Sequence, residues 1–439
     1  MYIYEEEIEI PCVPGHEHLL DYLRQIITER LGGSLLPVRF TITQTNQKSY
    51  KCELGVIADI LESTIQHTCS IFDFQKRPSV NNNTFNAALV IPTGIGSAIG
   101  GHAGDASPVA TLLASVCDTL ITHPNVVNAS DINELPDNGL YVEGSIISRL
   151  LMGKVGIQPV RANRVLTIVN AHPDKLFTNA VINTVSAARA SCGLDCQQVV
   201  ELDPPVTLES LYASSGRAVG RVTQLDGLID ILDKYQGNYD AVALSTQIEM
   251  PMSYHTDYYV SRGDMINPWG GVEAIFTHSL SSLYDLPTAH APLDISREIA
   301  NLDLGVVDPR MAAEIISTAY FLCVLKGLQR SPKIVKDIRS TIPPGVLTAA
   351  DISCLVIPDG CVGLPTLAAL EQGIPVIAVR ENKNIMNNNL RELPWKTGQL
   401  HVVENYWEAV GVMSALKAGI APASVRRPLA DTQFIKGVN

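Results

Sequence analysis

Clustered positive charge is missing from this chain. Its 439 residues include 32 Lys and Arg against 45 Asp and Glu, so the formal net charge is −13, and no basic run exceeds three residues. Proteins that bind nucleic acid neutralise phosphates with clustered Lys and Arg. We therefore expect no nucleic-acid partner.

The sequence also has no evident targeting or membrane-spanning segment. Residues 1–7 are acidic, whereas a signal or transit peptide is basic. The most apolar helical stretch, residues 315–328, is too short to cross a bilayer and contains Lys326. We therefore expect no membrane partner and a cytoplasmic location, or the plastid stroma in a photosynthetic eukaryote.

Cysteine spacing argues against a disulfide or zinc framework. The nine cysteines are scattered and odd in number, and five lie in apolar patterns, which predicts reduced core thiols. Cys192 and Cys196 are the one close pair, but no further ligands stand at zinc-motif spacing. The spacing of His255, His278 and His290 is too irregular for a zinc motif. We expect no metal site, and the sequence names no cofactor.

Apolar residues are abundant. They make up 46% of the chain, and the mean hydropathy is +0.14, which predicts a large core or a core plus a buried subunit interface. We expect a homo-oligomer. The pattern divides the chain into a small α+β domain over residues 1–84, an α/β unit over 85–160, and one or more α/β domains over 161–439 with a Rossmann-like C-terminal half.

The fold class follows from alternating apolar runs and helical periodicities. In residues 1–84 we predict strands at 2–10, 38–43, 51–57 and 67–72 and a helix at 18–31. Beyond residue 85, continuous apolar runs predict mostly parallel sheets covered by helices. These strands are predicted at 87–91, 119–122, 165–170, 198–202, 241–245, 354–357 and 375–379, and the helices at 107–117, 174–191, 271–284, 309–328, 364–372 and 406–418.

A glycine-rich loop is the strongest local signal. Five glycines fall within residues 94–104, between a predicted strand and a predicted helix, so backbone N–H groups and a helix N-terminus can face an anion. The spacing fits neither the dinucleotide nor the Walker motif, and a long glycine-rich turn is the alternative. The predicted ligand contacts are Thr93, Gly94, Gly96, Ser97, Gly100 and Gly101, and the predicted acid–base residues are His102 and Asp105.

Polar residues at other strand ends extend this candidate site. In open parallel sheets, ligands bind beyond the carboxyl ends of the strands. His123 and Glu143 are predicted to act as acid–base residues, although Glu143 could equally cap a helix. The predicted substrate contacts are Asn128, His172, Trp269, Gly270, Gly271, Arg310 and Arg380. A structural loop that places Trp269 in the core remains the alternative for residues 250–271.

Two resemblances follow from these motifs. Residues 356–384, with the run Gly-Ile-Pro-Val-Ile-Ala-Val at 373–379, and the strand at 165–174 resemble GT-B glycosyltransferases and sugar-nucleotide 2-epimerases. The ribose-binding acid of that family would fall at Ala368 or Ala369. Residues 92–105, 122–128, 141–144 and 267–271 together resemble a family catalogued as domain of unknown function 3326, common in photosynthetic lineages.

We therefore hypothesise an enzyme that acts on a small anionic metabolite in a cleft between α/β halves. The metabolite would be phosphorylated, nucleotide-sugar-like or a carboxylate. Transferase or isomerase chemistry is favoured over redox or hydrolytic chemistry, because no dinucleotide fingerprint or nucleophile elbow is present. The alternatives are a non-catalytic ligand-binding or regulatory protein and a structural subunit of an assembly.

Overall fold

A computed structural model describes residues 1–436 except 14–17, 62–63, 65–67, 318, 337 and 339–341. The strands in chain order are β1 (Tyr2–Pro11), β2 (Leu36–Thr45), β3 (Ser49–Ala58), β4 (Asn86–Leu89), β5 (Thr119–Thr122), β6 (Asn128–Ala129), β7 (Ile132–Asn133), β8 (Gly139–Tyr141), β9 (Gly156–Gln158), β10 (Val165–Asn170), β11 (Val199–Leu202), β12 (Thr207–Tyr212), β13 (Ala218–Thr223), β14 (Ala241–Thr246), β15 (Ile248–Glu249), β16 (Thr288–Pro292), β17 (Lys333–Val335), β18 (Ile352–Pro358), β19 (Val362–Gly363), β20 (Val376–Val379) and β21 (Leu400–Val403).

The α-helices of the described residues cover the sheets. They are α1 (Leu19–Leu31), α2 (Ser107–Ala114), α3 (Pro124–Val127), α4 (Gly144–Leu151), α5 (Lys175–Cys192), α6 (Asp226–Tyr235), α7 (Tyr254–Val260), α8 (Gly270–Tyr284), α9 (Arg297–Ala300), α10 (Pro309–Ala312), α11 (Leu322–Gln329), α12 (Leu364–Gln372) and α13 (Tyr406–Lys417). No helix among the described residues is long and apolar enough to cross a membrane.

A six-stranded parallel sheet has the order β21-β20-β18-β4-β5-β8. Its central strands β20, β18 and β4 are mostly apolar because both of their faces are covered. In β4, Ala87 and Leu89 pack in one hydrophobic core while Ala88 between them packs in the other. The predicted α/β class is confirmed here.

A second parallel sheet has the order β11-β10-β14-β16. The predicted strand over residues 165–170 has the bounds of β10, and α5 follows it as the predicted crossover helix. Along the chain, strands of the two parallel sheets are interspersed with helices, as the apolar runs predict.

The third large sheet joins distant parts of the chain. Its order is β15-β12-β13-β1-β3-β2-β19, and the N-terminal strands pair with one another in antiparallel fashion. Ile3 of β1 pairs with Val222 of β13, so β13, β12 and β15 extend the N-terminal sheet. Strands β4, β5 and β8 likewise share their sheet with β18, β20 and β21. The sheets therefore do not follow the domain boundaries predicted at residues 84 and 160.

Two predicted elements differ in the structure. The helix predicted over 309–328 is two helices, α10 and α11, and Tyr320 before α11 has φ +51, which a continuous right-handed helix does not allow. Of the strand predicted at 67–72, residue 67 lies outside the described residues, and residues 68–72 form a bend and a turn. All nine cysteines are free thiols.

Candidate active site

One cavity of about 450 Å³ lies where both parallel sheets present the carboxyl ends of their strands. Residues that follow β4, β5, β8 and β18 line it from one sheet, and residues that follow β14 and β16 line it from the other. One face of α8 and a short stretch of β2 complete the wall. The cavity therefore occupies the position where open α/β folds bind ligands.

Glu143 and His278 form a buried carboxylate–imidazole pair in this cavity. Nδ1 of His278 donates a hydrogen bond to Oε1 of Glu143, whose side chain is 3% exposed. The other oxygen, Oε2, accepts N–H groups of Ser145 at 2.9 Å and Ile146 at 3.3 Å, so Glu143 also caps α4. Burial alone would raise the pKa of Glu143, but His278 and the Ser145 bonds outweigh it and lower the pKa. Glu143 is therefore an anion that orients His278.

His123 lies at the end of β5 and lines the same cavity. Its Nε2 accepts the backbone N–H of Ile91 at 3.1 Å, which assigns the ring proton of the neutral form to Nδ1. Burial, reinforced by the nearby His278, lowers the pKa of His123 to about 4. The imidazole is therefore neutral at physiological pH and can donate one hydrogen bond from Nδ1.

Helix α8 supplies a polar stripe to the cavity. Its N-terminus is capped by Asn267, whose Oδ1 accepts N–H groups of Trp269 at 2.9 Å and Gly270 at 3.3 Å. The cavity-lining positions of this helix recur at the spacing of one helical face. They are Gly270, Glu273, Ala274, Thr277 and His278. The helix therefore brings His278 to Glu143.

A second imidazole on the cavity wall, His290 of β16, is fully engaged. Its Nδ1 pairs with Oε1 of Glu273 at 2.8 Å, and its Nε2 lies 2.8 Å from Oγ1 of Thr246. Both ring nitrogens therefore have protein partners, so His290 has less freedom than His278 to exchange a proton with a ligand.

His102, Tyr258 and Glu314 form a buried chain beside the cavity, which Glu314 lines. Nδ1 of His102 is 2.6 Å from the hydroxyl of Tyr258, and that hydroxyl donates to Oε1 of Glu314 at 3.1 Å. Burial lowers the pKa of His102 to about 4 and raises that of Glu314 to about 8. Glu314 is therefore largely protonated near neutral pH, while His102 is uncharged.

The glycine-rich loop binds acceptors of the protein itself. Gly100 N–H donates to Asp105 Oδ1 at 2.8 Å, Ala103 N–H donates to Glu314 Oε1 at 2.5 Å, and Ile99 N–H donates to Asn382 Oδ1 at 2.9 Å. Burial raises the pKa of Asp105 to about 7. The carboxyl groups of Asp105 and Glu314 therefore occupy donors that were predicted to bind an external anion.

Close packing explains most of the loop's glycines. A Cβ on Gly101 would lie 2.1 Å from the carbonyl oxygen of Ser97, and one on Gly100 would lie 2.7 Å from the side chain of Ile91. Gly94 and Gly96 have φ of +74 and +62, which favours glycine, and they pack on Ala218 and Ile266. The alternative of a structural glycine loop accounts for these four positions.

The remaining predicted contacts divide between the cavity lining and positions outside it. Those that line the cavity are Thr93, Asn128, Trp269 and Gly270; the others, outside its lining, are Gly94, Gly96, Ser97, Gly100, Gly101, His172, Gly271, Arg310 and Arg380. Ser97 is buried. Asn128 donates to the hydroxyl of Tyr141 at 2.7 Å.

Three of the predicted contacts that lie outside the lining, His172, Arg310 and Arg380, bind other parts of the chain. His172 lies 3.1 Å from the carbonyl oxygen of Ile295 through Nε2. Arg310 pairs with Asp308 and donates to the carbonyl oxygen of Arg262 at 2.9 Å. Arg380 pairs with Glu404 at 2.6 Å.

The sequence prediction omits several residues of the site, among them His278, Tyr258 and Glu314. His278 was considered only as a metal ligand, although its spacing of eight residues from Gly270 places both on one helical face. Tyr258 and Glu314 carry no local signal, because only the tertiary fold brings them to His102. Among the described residues, no group of three or more His, Cys, Asp and Glu could hold a metal ion.

Comparisons with known proteins agree with the second resemblance, the one to domain of unknown function 3326. A family model described as "Protein of unknown function (DUF3326)" matches residues 86–426. A protein of Synechococcus sp. named an uncharacterized lipoprotein is 32% identical over 348 residues, which span 78% of this chain and 93% of that relative. No solved structure matches the chain.

Proposed function

The chain belongs to the DUF3326 family, and we propose that it is an enzyme that performs acid–base catalysis on a small metabolite bound in the cavity. The observation that carries the proposal is the Glu143–His278 pair beside neutral His123 on one cavity wall. Such a pairing of an oriented base with a neutral hydrogen-bond donor is typical of proton-transfer sites.

His278 would act as the base. Its Nδ1–H is held by the Glu143 carboxylate, which leaves the lone pair of Nε2 to accept a proton from substrate. Gly144 makes room for this ring, because a Cβ there would lie 3.0 Å from Cε1 of His278. The carboxylate would also stabilise the imidazolium that forms when the base takes up the proton.

His123 would stabilise the negative charge that develops on the substrate. With Nε2 accepting from Ile91, the neutral ring presents Nδ1–H as a donor. A donor of this kind lowers the energy of an enolate or alkoxide oxygen most in a site with little water. Glu314, held largely protonated, would supply a second proton donor on the wall.

The proposed reaction class is therefore an isomerisation or another proton transfer next to a carbonyl group. We retain a small anionic metabolite as the substrate. We also retain a cytoplasmic or stromal location as part of the proposal, and the nine free cysteines are consistent with such a reducing compartment. The name of the Synechococcus relative points to lipid attachment of that protein. Fractionation of cells that express the chain would show whether this protein is found in the cytoplasmic or the membrane fraction.

Solvent-hydrogen exchange tests the catalytic proposal whatever the product is. The protein is incubated in D₂O with a panel of keto and hydroxy acids, and mass spectrometry measures deuterium incorporation. We expect incorporation for at least one compound, with a loss of about 100-fold or more in His278→Gln. His401→Gln, which changes an imidazole outside the cavity lining, is the matched control and should retain the rate.

Two results would contradict the proposal. Equal deuterium incorporation in wild type and His278→Gln would show that His278 is not the catalytic base. Binding of a panel compound with no exchange and no turnover would instead support a non-catalytic ligand-binding protein.

A further inference from the structure

Three side chains of the cavity lining each have a buried polar atom without a hydrogen-bond partner among the described residues. These atoms are Nη1 of Arg217, Nε2 of His255 and Oδ2 of Asp294. Buried polar groups are nearly always paired, because an unpaired one loses its hydration without compensation. All three residues belong to the lining of the same cavity, so a ligand bound there could supply the missing hydrogen-bond partners.

Of the three residues, Arg217 gives the clearest indication of the ligand's chemistry. Its guanidinium is 1% exposed and binds Glu53 through Nε and Glu5 through Nη2 at 2.9 Å. Both N–H groups of Nη1 remain to be satisfied. A guanidinium N–H makes its strongest hydrogen bonds to carboxylate or phosphate oxygen. Arg217 therefore selects a ligand with an acceptor oxygen.

The charge around Arg217 favours a carboxylate over a phosphate. The lining described by the structure contains no lysine, and each of its arginines pairs with a carboxylate: Arg39 with Glu5, Arg149 with Asp285, and Arg217 with Glu5 and Glu53. A phosphate monoester brings about 1.5–2 negative charges, against one for a carboxylate. The glycine-loop donors that could bind a phosphate already serve Asp105 and Glu314.

His255 and Asp294 favour hydroxyl groups. His255 is 8% exposed, packs edge-on against Trp269, and has a pKa lowered by burial, so its ring is neutral. A hydroxyl both donates and accepts, and it can therefore pair with Nε2 of His255 in either tautomer and also donate to Oδ2 of Asp294.

We infer that the ligand is a small hydroxycarboxylic acid whose carboxylate binds Arg217 and whose hydroxyl groups bind His255 and Asp294. The inference depends on the proposed function only in placing the ligand in the same cavity. It narrows the predicted anionic metabolite to one class and sets aside the phosphorylated and nucleotide-sugar classes.

Calorimetric titration with matched compounds tests the class directly. The hydroxy acids are glycerate, quinate and D-gluconate. The comparators for D-gluconate are D-glucitol, which lacks the carboxylate, hexanoate, which lacks the hydroxyls, 6-phosphogluconate, and D-glucosaminate, which carries an ammonium at C2. We expect at least one hydroxy acid to bind, and D-gluconate to bind more tightly than each of its comparators.

Variants locate the binding groups. Arg217→Lys and His255→Phe should each weaken binding by about tenfold or more. Because Arg217 lies in a buried ion cluster, Asp294→Asn provides a variant of nearly unchanged shape, with weakened binding again expected. Asp303→Asn changes an exposed carboxyl on the same wall and should retain wild-type affinity.

The inference is overturned if no hydroxy acid binds, if any of the four comparators binds more tightly than D-gluconate, or if Asp294→Asn binds as well as wild type. The titration needs no turnover. If a hydroxy acid binds but shows no solvent exchange, the catalytic proposal fails and this inference stands. If only compounds outside the hydroxycarboxylic acids exchange, the catalytic proposal stands and this inference fails.

Discussion

The backbone of Gly271 packs so closely on Ala218 that a Cβ on Gly271 would lie 2.2 Å from the Ala218 carbonyl oxygen. Gly94 approaches the same oxygen, with its own Cβ position at 2.7 Å, and the Ala218 N–H donates to the carbonyl of Gly94 at 2.9 Å. The two glycine motifs that the sequence singled out therefore meet on one residue of β13. Their glycines fix helix α8 and the loop after β4 against the same strand.

Gly271→Ala should destabilise the protein strongly, because the added methyl group would have to displace backbone on both α8 and β13. We expect the free energy of unfolding to fall by about 1–3 kcal/mol or more, measured by chemical denaturation. Gly411→Ala is the matched control, since Gly411 lies in helix α13 with nothing within 4 Å of its Cβ position. That change should be neutral or stabilise by about 0.5–1 kcal/mol. Equal effects at the two positions would contradict the packing role.

The sequence predicts the bounds of the buried strands better than it predicts the residues of the site. The bounds of β5 and β10 were predicted without error because doubly covered strands are continuous apolar runs. The sequence does not predict the hairpin β12–β13, since burial alternates along β12 and the partner strand β1 lies some 200 residues away in the chain. The sequence placed His123 and Glu143 at strand ends, where they do line the cavity. It could not find Glu314, whose role depends on contacts to Ala103 and Tyr258 that only the fold creates.

The hydroxyl of Tyr258 bridges His102 and Glu314, so Tyr258→Phe should leave two buried groups without their partner. We expect a loss of about 1–3 kcal/mol in the free energy of unfolding. Tyr259→Phe is the control on the same helix, because the structure gives the Tyr259 hydroxyl no partner among the described residues. A loss in Tyr259→Phe as large as that in Tyr258→Phe would show that the bridge contributes little.

Glu143→Gln removes the negative charge that faces His278 while nearly preserving the shape of the side chain, so it tests how much this charge stabilises the protein. The amide oxygen can still cap α4 through Ser145 and Ile146, but His278 loses a charged partner in a buried site. We expect a thermal-denaturation loss corresponding to about 1–3 kcal/mol. Asp174→Asn is the comparison, because Asp174 caps α5 in the same way but its side chain is 32% exposed. A larger loss at Asp174 than at Glu143 would contradict the importance of the buried pair.

Glu314 should make stability depend on pH in a defined direction. Burial raises its pKa to about 8, and the charges of Asp105 and Glu273 add to this, while bonds from Ala103 and Tyr258 oppose it. In the unfolded chain the carboxyl titrates near 4.5. Between these two values the folded protein keeps a proton that the unfolded chain has released. The stabilising contribution of Glu314 is therefore complete below about pH 4.5 and is lost as pH rises through 8.

The comparison of wild type with Glu314→Gln isolates this titration, because His123 is present in both proteins and its own effect largely cancels. The free energy of unfolding of wild type relative to the variant should decrease by at most about 1.4 kcal/mol per pH unit between pH 4.5 and 8. Chemical denaturation at a series of pH values measures the difference. Glu134→Gln, at an exposed carboxyl, should show a difference that changes little over the same range. A wild-type advantage over Glu314→Gln that grows as pH rises would mean that Glu314 is ionised in the folded protein, and the proton donor assigned to the cavity wall would then have to be another group.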